Sequence, residues 1–268
     1  MERTNKTALI TGASSGIGYE LAKVFAQEGH DLVLVARSED QLRRIAQDLE
    51  QQCGARVRVI VKDLFEPNAA HELYEQVRHQ GIVVNYLVND AGQGVYGKFA
   101  DTDLEQELKI IQLNVNSLVV LTKLFLQDML ARNEGRILQL GSMVSKNPAP
   151  WSAIYGGTKA FVYNFNQALI QELEGTQVTV TVLRPGATDT DFFHKAHAEE
   201  MEVVQKGQLG PADEVARDGY EAMMEGRNAV VSGLKNQLMD KAAQLMPDQL
   251  AAKQMKKMHQ PATPDKRH

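Results

Sequence analysis

Thr11-Gly12-Ala13-Ser14-Ser15-Gly16-Ile17-Gly18 links a short β-rich run to an amphipathic helical pattern near the start of the chain. Gly12 permits a tight turn, and Gly16 and Gly18 bring no side chains, so a pyrophosphate can approach the backbone amides at the helix N-terminus. The helix dipole favours negative charge at that end. The spacing Gly-x3-Gly-x-Gly differs from the general Gly-x-Gly-x-x-Gly fingerprint, so the position between strand and helix carries the prediction of a dinucleotide site.

Short β-rich runs alternate with amphipathic helical patterns along the rest of the chain. The predicted strands cover residues 7–10, 32–36, 57–61, 82–88, 136–140, 178–183 and 229–232. The predicted helices cover residues 17–28, 38–52, 68–80, 104–131, 153–173 and 211–224. This alternation predicts an α/β fold, a Rossmann-type doubly wound parallel sheet of seven strands with helices on both faces. We expect one dinucleotide-binding and catalytic domain over residues 1–234, and a C-terminal helical extension and disordered tail over residues 235–268.

The composition disfavours several classes of protein. The 268 residues carry a net charge of −5 with both signs interspersed, which gives no reason to expect a nucleic-acid partner. The single cysteine, Cys53, supplies neither an intrachain disulfide nor a zinc-ligand pair, so we expect no metal site and a reducing, cytoplasmic setting. No apolar stretch approaches the roughly 20 residues of a bilayer span, and residues 1–6 carry no apolar signal core, so we expect no membrane span.

The end of the second predicted strand bears on the choice of nicotinamide cofactor. An acidic residue there would bind ribose hydroxyls and repel a 2′-phosphate, and Ala36 removes that group. Arg37 offers a planar fork of donors that suits a phosphate, with Ser38 beside it. We therefore expect NADP(H), although an ordinary solvated arginine at a helix start would give the same sequence. After the third strand come Asp63 and Leu64, and the Asp63 carboxylate either lies by the adenine or caps the next turn.

Tyr155 and Lys159 stand at the start of a helical stretch and, at four residues apart, share one helix face. A free phenol with a pKa of about 10 is a poor base at neutral pH, and the nearby Lys159 ammonium is expected to lower that pKa. Ser142 ends the fifth predicted strand, on the side of the sheet where strand ends converge, and is placed to bind a carbonyl oxygen. Tyr-x3-Lys alone is more often a surface pair, so the combination of the three residues carries the prediction.

Together these motifs resemble the short-chain dehydrogenase/reductase family, in its single-domain NADP-dependent branch. The resemblance covers roughly residues 5–235. It is carried by the glycine turn, Asn89-Asp90-Ala91-Gly92, Asn114, Ser142, Tyr155, Lys159 and Pro185-Gly186. Asp90 departs from the family pattern, which usually has a second asparagine there, and this departure affects the local hydrogen bonding.

The resemblance implies a catalytic tetrad of Asn114, Ser142, Tyr155 and Lys159. Ser142 and Tyr155 would hydrogen-bond the substrate oxygen, and Tyr155 would donate a proton as hydride arrives. Lys159 would lower the pKa of Tyr155 and bind the nicotinamide ribose, while Asn114 would hold a proton-relaying water; without the family pattern, Asn114 is simply a packed polar residue. The residues implied to bind NADP(H) are Gly12, Ser14, Ser15, Gly16, Ile17, Gly18, Arg37, Ser38, Asp63, Leu64, Asn89, Ala91, Gly92, Tyr155, Lys159, Pro185, Gly186, Thr188 and Thr190.

Residues 191–210 occupy the position of a substrate-covering segment, where Phe192, Phe193 and Met201 indicate an apolar wall. The sequence does not identify the small-molecule carbonyl or alcohol substrate. The tail after Gly233 alternates apolar residues with lysines. It is either a basic amphipathic helix that touches a membrane or a neighbouring subunit, or a helix packed on its own domain.

The expected function is that of an NADP(H)-dependent oxidoreductase that reduces a ketone or aldehyde to an alcohol, or runs in reverse. The long apolar helices 104–131 and 153–173 favour a homodimer or homotetramer. The alternative from another class is a regulatory protein that senses NADP(H) without turnover, but such proteins typically lose the tyrosine or lysine that this chain keeps. Arg37 disfavours an NAD-dependent alcohol dehydrogenase, and the short chain lacks room for the sugar-nucleotide domain of an epimerase.

Overall fold

The computed structural model describes residues 3–244 and 248–261. The strands are β1 (Thr7–Thr11), β2 (Asp31–Ala36), β3 (Val57–Val61), β4 (Val84–Asn89), β5 (Gly135–Leu140), β6 (Val178–Arg184) and β7 (Ala229–Val231). The α-helices are α1 (Gly16–Gln27), α2 (Glu39–Cys53), α3 (Ala69–His79), α4 (Leu104–Ile111), α5 (Leu118–Arg132), α6 (Ala153–Glu172), α7 (Phe192–Lys195), α8 (Glu202–Gln205), α9 (Ala212–Met224), α10 (Leu234–Gln244) and α11 (Asp248–His259). A π-helical turn, Gln112–Ser117, joins α4 to α5, and a 3₁₀ turn, Met143–Lys146, follows β5.

The seven strands form one parallel sheet in the order β3-β2-β1-β4-β5-β6-β7. In the centre of the sheet, Ile10 of β1 pairs with Leu34 of β2 on one side and with Val88 of β4 on the other. The predicted Rossmann-type, doubly wound fold is therefore confirmed. Because the strand order reverses beside β1, a crevice opens at the carboxyl ends of β1 and β4.

Two apolar cores lie on opposite faces of the sheet. Ile10 and Leu34 pack with α1, α2 and α9, whereas Leu9 and Val35 pack with α3, α5 and α6. Successive strand residues point to opposite faces, so both faces need apolar side chains. This double burial explains why the strands are near-continuous runs of Val, Ile and Leu rather than alternating patterns.

The predicted helix over residues 104–131 shows the largest departure from the expected elements. The structure divides it into α4, the π-helical turn and α5, and the π-helical turn carries Asn114. Such turns inside α-helices are frequent at functional sites because they re-aim side chains. In β4, the ordered strand begins at Val84 rather than at residue 82.

One helical stretch among the described residues, Leu104–Arg132, is long and apolar enough by composition to cross a membrane, with a mean hydropathy of 1.3. Half of its most apolar window is buried inside the protein. Leu121, Phe125 and Met129 on this stretch pack into the sheet core. The core helix of a sheet protein passes the same test, so this stretch is weak evidence for a membrane span.

The segment after β7 folds back against its own domain. Arg184, buried at the end of β6, makes a bidentate pair with Asp240 of α10, with Nη1–Oδ2 and Nη2–Oδ1 distances of 2.9 and 2.5 Å. Farther along, Met201 and Pro261 form an antiparallel bridge. Of the two interpretations of the tail, the structure supports the helix packed on its own domain. The domain division at residue 234 stays a prediction, and the predicted disorder after residue 261 lies outside the described residues.

Candidate active site

A cavity of about 1210 Å³ lies at the carboxyl ends of the strands. The glycine turn, the predicted catalytic residues and the loop after β6 all border it. Of the predicted site residues, Gly18, Asn89 and Asn114 do not line the cavity but pack behind residues that do. The structure therefore brings the rest of the predicted set together in one place.

Close packing determines the shape of the glycine turn. Gly12 has a φ of +73°, a conformation that favours glycine. A Cβ on Gly18 would lie 2.5 Å from Oδ2 of Asp90 and 2.6 Å from the carbonyl oxygen of Gly12. The first turn of α1 has no acidic residue, and Ser15 at its N-cap makes no side-chain capping hydrogen bond. The turn therefore presents the N-terminal end of α1 and the Ser15 hydroxyl to an anion.

Arg37 and Ser38 border the end of the cavity beyond β2. The guanidinium carbon of Arg37 lies 5.1 Å from the centre of the Phe65 ring, and Arg37 makes no ion pair with any residue that the structure describes. Ser38 precedes α2 without a side-chain capping hydrogen bond. Asp63 also borders the cavity, but its Oδ1 accepts the Phe65 N–H at 3.1 Å, so this carboxylate caps the turn. Arg37 and Ser38 are thus two polar donors at this end of the cavity, with no side-chain hydrogen bond or ion pair to any residue that the structure describes.

Lys195 is a cation of the site that the sequence reasoning did not assign. Its Nζ lies 3.4 Å from the Ser15 hydroxyl oxygen and 3.7 Å from a carboxylate oxygen of Asp191. The nearby Thr190 packs on the same turn, since a Cβ on Gly16 would lie 3.0 Å from its Cγ2. The segment after β6 therefore closes over the glycine turn and brings a cation to it. No local pattern signals a contact between residues so far apart in the chain.

Ser142 and Tyr155 face each other across the middle of the cavity. Ser142 is the N-cap of the 3₁₀ turn, and its N–H donates to the Ser145 hydroxyl at 3.0 Å, which orients the residue. The Tyr155 ring lies 5.1 Å from the Phe192 ring between centres. A Cβ on Gly94 would lie only 3.3 Å from the Tyr155 ring, so Gly94 allows this packing. Ser142 is the polar neighbour that acts on the Tyr155 hydroxyl, and it favours a lower pKa of the phenol.

The pKa values of Tyr155 and Lys159 are both shifted by burial. Burial raises the pKa of the Tyr155 phenol to about 12, against the opposing effect of the Ser142 hydrogen bond. Burial lowers the pKa of the Lys159 ammonium to about 8, against the opposing effect of Asp90. Lys159 Nζ donates to the Leu140 carbonyl at 2.6 Å and lies 5.8 Å from the Tyr155 ring centre. The expected lowering of the Tyr155 pKa is therefore wrong for this arrangement. The Lys159 ammonium is directed at the Leu140 carbonyl, and the desolvation of the phenol determines the shift.

Asp90 is a buried carboxyl group between the glycine turn and Lys159. Its backbone N–H donates to the Thr11 hydroxyl at 3.1 Å, which fixes the strand end. Burial raises the pKa of Asp90 to about 7, against the opposing effects of Lys159 and of the Gly18 N–H. Its Oδ1 has no hydrogen-bond partner among the described residues. Where the resembled family usually has an asparagine, this chain therefore carries a titratable group.

The side chains of Asn114 and Asn89 hold neighbouring elements together. Asn114 Oδ1 accepts the Gln93 N–H at 3.0 Å, and its Nδ2 donates to the Gln93 carbonyl at 2.9 Å and the Thr158 hydroxyl at 3.0 Å. Asn89 Nδ2 donates to the side-chain Oε1 of Gln139 at 3.0 Å, which ties β4 to β5. These contacts give Asn114 the structural role that it was expected to have outside the family pattern, and its water relay stays a prediction.

Comparison with known proteins decides the family. A family model described as short chain dehydrogenase matches residues 6–201, which is most of the chain. The chain belongs to the short-chain dehydrogenase family.

Individual relatives agree with this assignment. A short chain dehydrogenase of Pseudocercospora fijiensis is 34% identical over 189 residues, which are 70% of this chain and 61% of that protein. Sulfoacetaldehyde reductase 2 of Chromohalobacter salexigens is 36% identical over 186 residues, 69% of this chain and 73% of that protein. The solved structure of a short-chain dehydrogenase from Sphingobium yanoikuyae in complex with NADPH is 29% identical, has a TM-score of 0.78, and covers 98% of this chain and 100% of that chain.

The loop after β6 in this short-chain dehydrogenase borders the cavity next to the predicted catalytic residue Ser142. The Met143 N–H donates to the Pro185 carbonyl at 2.9 Å, and the Thr188 hydroxyl donates to the Gly186 carbonyl at 3.1 Å. Thr188 and Gly210 form a parallel bridge. The Met143 hydrogen bond places the loop directly beside Ser142.

The far end of the cavity of this short-chain dehydrogenase is apolar. Phe192, Phe193 and Met201 belong to one apolar cluster and border the cavity, which confirms the expected wall. Met255 and Met258 of α11 border the same cavity, and sequence reasoning did not assign them. Their spacing of three residues indicates that they share one face of a helix. The sequence did not show which surface of the domain that face would cover.

Proposed function

We propose that this short-chain dehydrogenase is an NADP(H)-dependent oxidoreductase that interconverts a ketone or aldehyde with an alcohol. The observation that carries the proposal is the convergence of Ser142, Tyr155 and Lys159 on one cavity beside the glycine turn. Three polar groups of these types at the carboxyl edge of a doubly wound sheet suit carbonyl chemistry.

The residues around the glycine turn fit a dinucleotide. The close packing at Gly18 brings the N-terminal end of α1 against the Gly12 backbone, and that end of the helix and Lys195 supply positive charge for a pyrophosphate. Arg37 and Ser38 would hold the 2′-phosphate, which favours NADP(H) over NAD(H). The relative from Sphingobium yanoikuyae, described in complex with NADPH, supports the same preference. When bound, NADPH would supply the hydride.

In the reduction direction, the side chains of the site would bind and protonate the substrate oxygen. Ser142 and Tyr155 would both donate hydrogen bonds to the carbonyl oxygen, where negative charge develops. With its pKa raised to about 12, the Tyr155 hydroxyl keeps its proton at neutral pH and is available as the donor. Lys159, with a pKa of about 8, remains largely protonated at neutral pH and would stabilise the phenolate that forms. Asn114 would position Gln93 and, through its hydrogen bond to Thr158, the residue that precedes Lys159.

The proposal includes a homodimer or homotetramer in the cytoplasm. Leu104 and Leu108 of α4 and Phe161 of α6 are exposed apolar residues, and these two helices pack against each other. Association of this surface between copies would bury these side chains. The expected result of light scattering is a mass of two or four chains, and a single monomeric mass would contradict this part of the proposal.

Turnover by the wild type and by Tyr155→Phe tests the function. Each protein is given NADPH or NADH with aldehydes, diketones and bulky ketones, and cofactor binding is followed separately by fluorescence. We expect the wild type to oxidise NADPH, and Tyr155→Phe to lose at least about a thousandfold in kcat while it binds NADPH normally. Tight NADPH binding by the wild type without turnover of any carbonyl compound would favour the sensing function instead.

A further inference from the structure

The cavity wall beyond Tyr155 is built from apolar side chains of three separate segments. Phe192 begins this wall, since its ring packs on the Tyr155 ring with centres 5.1 Å apart. Met201 continues it as part of a buried apolar cluster, and Met258 of α11 completes it. The wall therefore begins directly beside the proposed proton donor.

Hydrogen bonds hold the end of α11 in place as part of this wall. The Tyr96 hydroxyl donates to the His259 carbonyl at 2.6 Å, and the His259 ring Nδ1 donates to the Pro150 carbonyl at 3.2 Å. On the other side, the Glu202 N–H donates to the Gln260 carbonyl at 3.2 Å. These hydrogen bonds tie the end of α11 to three separate segments of its own domain, which holds the backbone of the helix beside the cavity.

The helix α11 separates its apolar and charged residues. Met255, Met258 and His259 face the protein, whereas Lys256 and Lys257 are exposed. Burial lowers the pKa of His259, so its ring is neutral at physiological pH. The helix therefore presents an uncharged inner face to the cavity.

The cations that border the cavity are not part of this apolar wall. Arg37 lies at the end beyond β2, Lys62 after β3 pairs with Glu72, and Lys195 contacts the glycine turn. Lys159 donates to Leu140 beneath Tyr155. Lys235, on the first turn of α10, is exposed to solvent. An anionic group on the substrate body would find no buried counter-charge among the phenylalanines and methionines, and its desolvation would be costly.

We propose that the substrate is a bulky, uncharged carbonyl compound with an extended apolar body, which lies against Phe192, Phe193, Met201, Met255 and Met258. This inference rests on the proposed function, because it extends outward from the oxygen that Ser142 and Tyr155 would hold. Methionine side chains are flexible and polarizable, so the wall adapts to irregular apolar shapes and accepts several related bodies. The cavity volume of about 1210 Å³ exceeds the roughly 300–1,000 Å³ of a common single-ligand pocket, which leaves room for such a body beside a dinucleotide.

A chain-length series tests the substrate class with the wild-type enzyme. The probes are butanone, octanone and undecanone, with succinic semialdehyde as a short anionic aldehyde, and each is assayed by NADPH oxidation. We expect kcat/KM to rise about two- to fourfold for each added methylene that the wall buries, and to be lowest for succinic semialdehyde.

Variants of α11 locate the effect on the wall. Met258→Ala should lower kcat/KM for undecanone about tenfold more than for butanone. Lys256→Ala, on the exposed side of the same helix, should leave kcat/KM for both ketones unchanged. If kcat/KM does not rise with chain length, or is highest for succinic semialdehyde, the proposal of an apolar substrate is wrong, while the proposed function stands. Absence of turnover with every probe, despite NADPH binding, would overturn the proposed function itself.

Discussion

The two ends of the cavity are built in opposite ways. At the glycine turn, side chains are missing where the chain packs most tightly, and a Cβ on Gly18 would collide with Asp90 at 2.5 Å. At the apolar end, side chains fill the wall, and Phe192, Met201 and Met258 reach it from segments that are distant in sequence. Backbone geometry shapes the proposed cofactor end, whereas replaceable side chains shape the proposed substrate end. The first end should therefore tolerate few changes, and the second should tolerate many.

Removing the anchor of α10 should have the largest effect, and it tests how the segment after β7 is held on the domain. Asp240→Ala leaves the Arg184 guanidinium buried without its bidentate partner, and we expect the free energy of unfolding to fall by about 3–5 kcal/mol. Chemical denaturation measures this change. Lys241→Ala, on an exposed position of the same helix, is the matched control and should change stability by less than about 0.5 kcal/mol. Equal stabilities of the two variants would show that the pair does not hold the tail.

A methyl group in the glycine turn tests the cofactor end. In Gly18→Ala the new Cβ must displace Asp90 or the Gly12 backbone, so we expect the dissociation constant for NADPH to rise by about 100-fold or more, about 2.7 kcal/mol. Fluorescence titration measures the change. Gly157→Ala in α6 is the control, because a Cβ there meets no atom within 4 Å, and it should bind NADPH as the wild type does. Unchanged binding by Gly18→Ala would contradict the proposed position of the pyrophosphate.

Truncation of Arg37 tests whether this residue makes the proposed cofactor end selective for NADPH. Arg37→Ala removes the forked donor at the site proposed for the 2′-phosphate, so we expect KM for NADPH to rise about tenfold or more while KM for NADH hardly changes. Steady-state kinetics with both cofactors measure the split. Arg43→Ala, which breaks only an exposed ion pair with Glu39, should leave both KM values unchanged. If Arg37→Ala raises KM for NADPH and NADH equally, Arg37 does not bind the 2′-phosphate.

The pH dependence of stability tests Asp90 and should be the smallest effect. Because its folded pKa is raised to about 7, the protonated carboxyl stabilises the fold fully below the unfolded pKa of about 3.9, and this contribution is lost as the pH rises to about 7. The amide in Asp90→Asn does not titrate in this range. The Tm of the variant minus the Tm of the wild type should therefore increase between pH 5 and pH 8. Thermal unfolding at several pH values measures it. Parallel Tm curves for the two proteins would mean that Asp90 does not titrate in this range.

The sequence predicted what depends on local spacing. The glycine turn, the pairing of Tyr155 with Lys159 on one helix face, and the strand that ends before Ser142 follow from periodicity and short motifs, and the structure places them at one cavity. The doubly wound sheet followed from the alternation of strands and helices.

Contacts between distant segments were out of reach of the sequence. Lys195 meets Ser15 across a separation of 180 residues, and the pair of Arg184 with Asp240 spans 56 residues. The shift of the Tyr155 pKa was predicted in the wrong direction, because the sequence shows the neighbouring charge of Lys159 but not the desolvation of the phenol. The π-helical turn around Asn114 leaves no mark in a helical pattern that is apolar on several sides.

Transfer of deuterium tests the central claim, that one cavity joins an NADPH site to a carbonyl site, more directly than any variant. The wild-type enzyme is given undecanone and NADPH that carries deuterium at both C4 positions, and the product alcohol is examined by mass spectrometry. We predict one deuterium on the carbinol carbon, whichever face of the nicotinamide is used. An alcohol without deuterium, or no alcohol from any carbonyl compound while NADPH binds, would contradict the account.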